Sequence, residues 1–219
     1  GAHVAGDRLA REDEMLARYD VARATLREAL RFLELQGVIH LQLGRGGGPV
    51  VARPQTGDFA NSLSLILHFM DADLRGLLEL REAIASDVAA YAAQRATTGD
   101  LSALADCLKE LERNEASSQF EELNRRFHDM LGWASGNPLF GLLTSALHML
   151  TREFSLSLGY SAQERAVQLR FLRRVLEAVR KGDAEGARQA MARLVAGSAS
   201  YLAQRSPELV SQKVRWGQT

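Results

Sequence analysis

The sequence predicts a mainly α protein in which an N-terminal winged helix-turn-helix is followed by an all-α antiparallel helical bundle. Three observations lead to this prediction. Residues 21–37 carry leucines at helical spacing on one side and arginines on another. A glycine-rich turn between two short runs of branched residues follows directly. Beyond residue 55 the apolar residues keep a helical period, with no strand signal.

The first region covers residues 1–53. A helix is predicted over 11–18, then a turn at Tyr19-Asp20, then the helix within 21–37. The core-facing stripe of that second helix comprises Leu26, Ala29, Leu30 and Leu33. Its other side carries Arg23, Arg27 and Arg31, which recur every four residues. Gly37 suits the left-handed position at which helices end.

A β-hairpin is predicted after this helix. Residues 38–43 and 49–52 are the two strands, and the glycines of 44–48 form the turn. A nucleotide-binding loop is an alternative for these glycines, but neither a Lys-Ser/Thr pair nor a helix follows them. Helix, turn, helix and hairpin together favour a winged helix-turn-helix that binds DNA, although a solvated amphipathic helix is the alternative for the arginine face alone.

The remaining chain is predicted to consist of a linker at 54–60, an all-α unit at 61–205 and a polar, poorly specified tail at 206–219. Glycine-containing breaks at 97–100, 136–138 and 182–183 separate its helices. The helices are predicted near residues 60–70, 72–96, 100–114, 117–135, 138–158, 162–181 and 184–204.

Composition excludes several classes of protein. The 27 basic and 27 acidic residues balance, so any affinity for DNA must come from a local patch. Cys107 is the only cysteine, which excludes a disulfide framework and a cysteine-based zinc site. No apolar run approaches the roughly 18–20 residues of a membrane span. The start, Gly1-Ala2-His3, shows no signal-peptide pattern, so we expect no membrane partner and a cytoplasmic location.

The spaced residues of the first region resemble the GntR family of bacterial transcription regulators. The matching positions are Gly6-Asp7-Arg8-Leu9, Glu12, Leu16, Ala17, Tyr19, Val21, Arg23, Leu26, Arg27-Glu28-Ala29-Leu30, Leu33, Gly37 and Gly44-Arg45-Gly46. The second region is similar to the FCD ligand-binding domain of the FadR subfamily. Its matching positions are Leu80-Arg81, Phe127-His128, Gly136-Asn137-Pro138-Leu139, Val175-Leu176-Glu177-Ala178-Val179 and Gly182-Asp183.

This resemblance implies a homodimer that binds a palindromic operator in double-stranded DNA and a small effector, often a carboxylic acid. The expected DNA contacts are Arg11, Arg23, Ala24, Thr25, Arg27, Arg45 and Gly46. Two residues depart from the family. Ala22 replaces a capping Ser or Thr, and Asp13 replaces an arginine and would repel phosphate. The family's first helix has no counterpart before Gly6, which we expect to weaken this region.

Many FCD domains hold a divalent metal with Asp-x-x-x-His and two later histidines. The corresponding residues here are Asn124, His128, Leu172 and Leu194. Only the imidazole is retained, and one imidazole does not hold zinc against water. We therefore expect no metal and no other cofactor.

The effector site is expected to be more apolar than in such relatives. Its predicted residues are Arg81, Asn124, His128, Arg152, Leu172 and Leu194. Arg81 and Arg152 would pair with an anionic group, with a structural ion pair as the alternative for each. For His128 the alternatives are a hydrogen-bonded core histidine, an effector contact or a metal ligand. His68 and His148 are interpreted as core or interface residues, and Glu121-Glu122 as a solvated face.

The sequence therefore predicts a dimeric transcription regulator, a repressor rather than an activator, whose operator affinity a bound organic acid controls. An effector-independent regulator that binds DNA or a protein partner is the alternative. A helical enzyme is a remote one, because no nucleophile with a base and no paired carboxylate–histidine set is present, and no catalytic residue is predicted.

Overall fold

The computed structural model describes residues 3–42, 44, 47–52 and 55–215, with side chains omitted at 153–158 and 203. The chain divides into two compact units, Gly1–Phe59 and Ala60–Thr219. The first is a winged helix-turn-helix and the second is helical, so the predicted mainly α fold is confirmed.

The first unit contains α1 (Glu12–Tyr19), α2 (Arg23–Leu35), β1 (Ile39–Gln42) and β2 (Gly48–Val51). The strands are antiparallel, with Ile39 opposite Val51. A segment before α1 pairs with the other side of β2, where the Leu9 amide donates to the Pro49 carbonyl at 2.9 Å. The core of this unit is a cluster of Met15, Leu26, Leu30 and Ile39.

Helix α2 begins and ends as its sequence predicts, but it buries a narrower stripe. Ala22 precedes the helix without a side-chain cap, and Gly37 has the predicted positive φ, at 68°. Leu26 and Leu30 are buried, whereas Ala29 is exposed and was wrongly assigned to the core. The described part of this unit places no element over that edge of α2. Arg45 and Gly46 lie outside the described residues.

Eight helices follow among the described residues. They are α3 (Thr56–Phe69), α4 (Leu74–Arg95), α5 (Thr98–Arg113), α6 (Phe120–Ala134), α7 (Pro138–Leu158), α8 (Ala162–Lys181), α9 (Ala184–Arg205) and α10 (Pro207–Val210). Helix α4 is central, since it packs against α6, α7, α8 and α9. Its alanines at 89, 90, 92 and 93 are buried and permit close helix approach. None of the described helices is both long enough and apolar enough to cross a bilayer.

The predicted linker at 54–60 is wrong in its second half, because α3 already begins at Thr56. The Gln55 amide donates to the Asp58 carboxylate at 2.7 Å, which satisfies a backbone group at the start of the helix. A polar, glycine-containing stretch thus forms the first turn of a helix here.

The predicted tail at 206–219 is also wrong, because its described part is docked. Val214 is buried in a cluster with Leu74, Leu77, Leu147 and Leu150. The Val214 amide donates to the Ala72 carbonyl at 2.9 Å, and the Leu74 amide donates to the Gln212 carbonyl at 3.0 Å. This short backbone pairing and two buried valines, Val210 and Val214, hold the segment.

Arg165 joins three segments of the second unit. Its guanidinium donates to the Glu115 and Ser117 carbonyls, both at 2.8 Å, and its Nε donates to the Tyr160 carbonyl at 3.1 Å. It also pairs with Glu121 at 2.9 Å, in a contact where the two side chains are only 16% and 8% exposed. The arginine thereby links the α5–α6 connection, the start of α6 and the start of α8.

Arg165→Ala should lower the free energy of unfolding by about 3 kcal/mol, because Glu121 would remain buried without its cation. Arg173→Ala on the same helix is the matched control. Its pair with Glu112 is largely exposed, and its loss should cost less than about 1 kcal/mol. Urea denaturation of both variants measures the difference, and equal losses would contradict the assigned role of Arg165.

Candidate functional site

The first unit presents an arginine surface at the start of α2. Arg23 Nη1 lies 3.1 Å from Glu12 Oε1, and Arg23 Nη2 lies 3.0 Å from Asp13 Oδ1. Arg27 Nε donates to the same Glu12 oxygen at 2.9 Å. Both guanidiniums are nevertheless more than half exposed. The surface can therefore offer positive charge, but only in competition with two acids of α1.

The described residues predicted to contact DNA are all on the surface of this unit. They are Arg11, Arg23, Ala24, Thr25 and Arg27. All but Arg11 lie in the first turns of α2, whose leading N–H groups have no side-chain cap. Uncapped amides at a helix N-terminus favour an anion.

The second unit contains two small cavities that share Arg81 and His148 as wall residues. The first, of about 30 Å³, has a polar wall that includes Asn124, Thr151 and Tyr160. The second, of about 20 Å³, has a mostly apolar wall. Its apolar residues are Ile84, Ala85, Val88, Leu131, Leu147 and Met191. Each volume accommodates only water-sized molecules.

Arg81 is the positive charge between these cavities. Burial is the main cause that lowers the pKa of its guanidinium, and the charge of Asp129 opposes that effect. Within the described chain, no carboxylate lies at ion-pair distance from it and no hydrogen bond to it is found. A guanidinium stays charged at any physiological pH. The cavities are thus bounded by a cation that has no direct ion pair with any described residue.

His148 is held in its neutral form beside that cation. Its Nδ1 lies 2.6 Å from Asp129 Oδ1, and the other oxygen of Asp129 accepts from Arg125 Nη1 at 2.6 Å. Burial and the charge of Arg81 lower the pKa of His148 to about 4 against the pull of Asp129. Because the carboxylate accepts the Nδ1 proton, the Nε2 atom carries a lone pair that can accept a further hydrogen bond.

Asn124 and His128 are buried, as predicted for residues facing the bundle interior. Asn124 Oδ1 is buried with no hydrogen-bond partner, and Asn124 forms part of the first cavity wall. Burial, with the charges of Arg81 and His148, lowers the pKa of His128 well below its ordinary value. The wall of the first cavity thus combines these uncharged acceptors with three arginines and two glutamates.

Arg152 and the two acids near it form the outer wall of the first cavity. Arg152 Nε lies 3.6 Å from Glu122 Oε2, and its side chain is 57% exposed. The structure therefore shows the ion pair that was the alternative for Arg152. Glu121 is not on a solvated face, because its side chain is nearly buried in an ion pair with Arg165.

Leu172 and Leu194 lie in the main apolar core and do not form part of either cavity wall. Both are almost fully buried, at 0% and 2% exposure. Two aliphatic side chains and an amide do not fit a divalent metal. Across the described residues, no three His, Cys, Asp or Glu side chains come together in a metal-binding arrangement.

Sequence reasoning missed Asp129, His148 and Tyr160. The Arg125–Asp129 pair was detectable, because residues four apart on a helix face the same side. The contact between Asp129 and His148 joins two helices and left no local signal. Tyr160 directly precedes Ser161, the N-cap of α8, and forms part of the first cavity wall. In the sequence this position looks like an ordinary turn residue.

Comparison with known proteins gives the same picture. The model of the FCD domain matches residues 76–197. The chain is 30% identical over 149 residues to the HTH-type transcriptional regulator LutR of Bacillus subtilis, covering 68% of this chain and 67% of LutR. It is 26% identical over 207 residues to the galactonate operon transcriptional repressor of Escherichia coli, covering 92% and 90% of the two chains.

Among solved structures, a GntR protein of Streptococcus agalactiae has a TM-score of 0.67. The superposition covers 91% of each chain at 21% identity. This likeness shows that the two chains share a fold.

The lowered pKa of His148 predicts a specific loss of stability in acid. In the unfolded chain His148 binds a proton below about pH 6.5, whereas in the folded chain it binds one only below about pH 4. Stability conferred by the neutral imidazole is therefore present above pH 6.5 and is lost as the pH falls through that window. At pH 5 the loss from this one group is about 2 kcal/mol.

His148→Gln should reduce the drop in melting temperature between pH 7 and pH 5, because glutamine can still donate to Asp129 but does not titrate. His40→Gln, which replaces an exposed histidine of β1, should keep the profile of the unaltered chain. Calorimetry across this pH range makes the comparison. A His148→Gln profile parallel to that of the unaltered chain would argue against the neutral imidazole.

Proposed function

Because this chain belongs to the GntR family of transcription regulators that carry an FCD domain, we propose that it is a repressor whose operator affinity is set by an organic acid bound beside Arg81. The family consists of DNA-binding regulators, so the chain is a transcription regulator rather than an enzyme. The effector, the dimer, the repressor role and a cytoplasmic location beside the chromosome are parts of the proposal.

The start of α2 is proposed to enter the major groove of the operator. Its uncapped first turn, with Arg23 and Arg27 exposed on one side, supports this placement. Ala24 and Thr25 are exposed beside the arginines and are proposed to lie against bases or phosphates. Two such helices in a homodimer would read the halves of a palindrome.

Arg27→Ala should weaken operator binding by about 1–3 kcal/mol, since a contact from a charged side chain to a base or a phosphate is lost. The operator is first selected from genomic fragments, and affinity is then measured by fluorescence anisotropy at fixed salt. Arg173→Ala removes the same charge from the helical unit and is the control. Unchanged affinity in Arg27→Ala would refute the assignment of this residue.

The observation that carries the effector proposal is the charge of Arg81, which is partly buried and has no ion pair with a described residue. Burying a cation without a counter-ion is costly, and an anion bound there would offset that cost. A carboxylate suits a guanidinium because two parallel N–H donors match its two oxygens. Neutral His148 and Asn124 Oδ1 provide acceptors nearby.

These acceptors narrow the chemical class of the proposed ligand. A hydroxyl next to the acid group would donate to His148 or Asn124 while the carboxylate pairs with Arg81. The apolar wall beside His128 would accept a small aliphatic part. We therefore propose a short hydroxylated organic acid. The relative that regulates a galactonate operon supports this class, since galactonate is a hydroxylated acid.

The effector proposal is tested by thermal shift with lactate, gluconate and galactonate. At saturating concentration an acid that binds the native state should raise the melting temperature of the unaltered chain and release it from the operator. Arg81→Met should abolish both responses, because methionine fills the space without the charge. Arg170→Met, which replaces an exposed arginine of α8, should retain both responses.

Arg81→Lys keeps a positive charge at this position. Circular dichroism of each variant then separates loss of the anion contact from loss of the fold. A normal response in Arg81→Met would exclude this residue as the anchor. If none of the acids changes either the melting temperature or operator binding, the effector-independent regulator is the better explanation.

A further inference from the structure

Two carboxylates of α1 occupy the arginine surface of α2. Glu12 Oε1 bridges Arg23 and Arg27 at 3.1 and 2.9 Å, and Asp13 Oδ1 contacts Arg23 alone at 3.0 Å. The surface proposed to meet DNA therefore carries two acids and two bases in direct contact. Beyond a few ångströms such a group presents little net charge to an approaching phosphate.

The two acids differ in exposure. The Glu12 side chain is 32% exposed and lies between the two arginines, where it orients both. The Asp13 side chain is 85% exposed, and its described ion pair is the one with Arg23. Asp13 therefore stands at the outer edge of the surface. A phosphate that approaches Arg23 from solvent meets this carboxylate.

We propose that Asp13 is a specificity-determining residue that suppresses binding to DNA of arbitrary sequence. Binding to arbitrary DNA depends almost entirely on contacts between cations and phosphates, and each contact releases counterions. Asp13 opposes such a contact in two ways. Its carboxylate repels the phosphate, and its ion pair with Arg23 has to break before Arg23 can bind the phosphate. Operator binding also has base-edge contacts, so the same carboxylate removes a smaller share of that affinity.

The pairing also restricts the orientation of Arg23. A guanidinium held by carboxylates at 3.0 and 3.1 Å has fewer rotamers available than a free one. It presents its remaining N–H donors in one direction rather than searching for any nearby phosphate. Both effects raise the ratio of operator affinity to general DNA affinity, and neither requires Asp13 to touch a base.

The inference rests on the proposed DNA-binding role of α2, and Asp13→Asn tests it. Asparagine keeps the size and the helix-start position but loses the charge. Binding of the unaltered chain and the variant to a random-sequence duplex and to the selected operator is measured by anisotropy over a range of salt concentrations. Glu28→Gln is the matched control, because it removes one negative charge from α2 at an exposed position with no described ion pair.

Asp13→Asn should bind the random duplex about three- to tenfold more tightly at 0.1 M salt, with a log–log salt slope steeper by about one phosphate contact. Operator affinity should rise less, so the specificity ratio falls. Glu28→Gln should leave that ratio unchanged. In the Arg23→Ala background, Asp13→Asn should tighten binding to the random duplex less than it does in the unaltered chain, because only the direct repulsion of phosphate by Asp13 is then removed.

An unchanged random-duplex affinity and slope in Asp13→Asn would overturn the proposal, as would an equal increase in Glu28→Gln, which would indicate net charge alone. Loss of operator binding with unchanged random binding would also overturn it, by making Asp13 a base-reading residue. If the unaltered chain binds neither duplex, the proposed DNA-binding role of this chain fails instead, and that result is distinct from all the others.

Discussion

The partly buried positive charge of Arg81 is the constraint on which the polar centre of the second unit depends. Helix α4 places this guanidinium where α6, α7 and α9 also contribute wall residues. Burial, and after it the charge of Arg81, lowers the pKa values of the His128 and His148 imidazoles. Asp129, the carboxylate whose charge acts on Arg81, already forms hydrogen bonds with Arg125 and His148. A large apolar core formed by α4, α5, α6, α8 and α9 offsets the cost of this polar centre.

The arginine side chains of the two units differ in exposure and in ion pairing. In the first unit Arg23 and Arg27 are exposed and already paired with acids of α1. Such surface pairs are weak and are easily exchanged for a phosphate or a base. In the second unit Arg81 is partly buried and has no ion pair with a described residue, so a ligand there would gain more from each contact. The exposed arginine pairs of the first unit fit the proposed reversible DNA binding. The partly buried Arg81 of the second unit fits the proposed recognition of a small anion.

The sequence predicted most elements to within a few residues, because amphipathic period and glycine breaks are local signals. The absence of a cap at Ala22 and the positive φ of Gly37 were predictable for the same reason. Burial of Glu121 was not predictable, since it depends on Arg165, which lies 44 residues away. The docked segment around Val214 was missed likewise, because backbone pairing with residues near 72–74 holds it.

The candidate site shows the same division between local and long-range information. Arg81, Asn124 and His128 were predicted, and the structure brings them to neighbouring cavities. Leu172 and Leu194 were placed in the site by position along their helices, yet both pack into the apolar core. The cavities hold little more than water, so an organic acid has to separate their walls. For the proposed ligand, contacts with Arg81 would therefore have to offset the cost of widening the cavities.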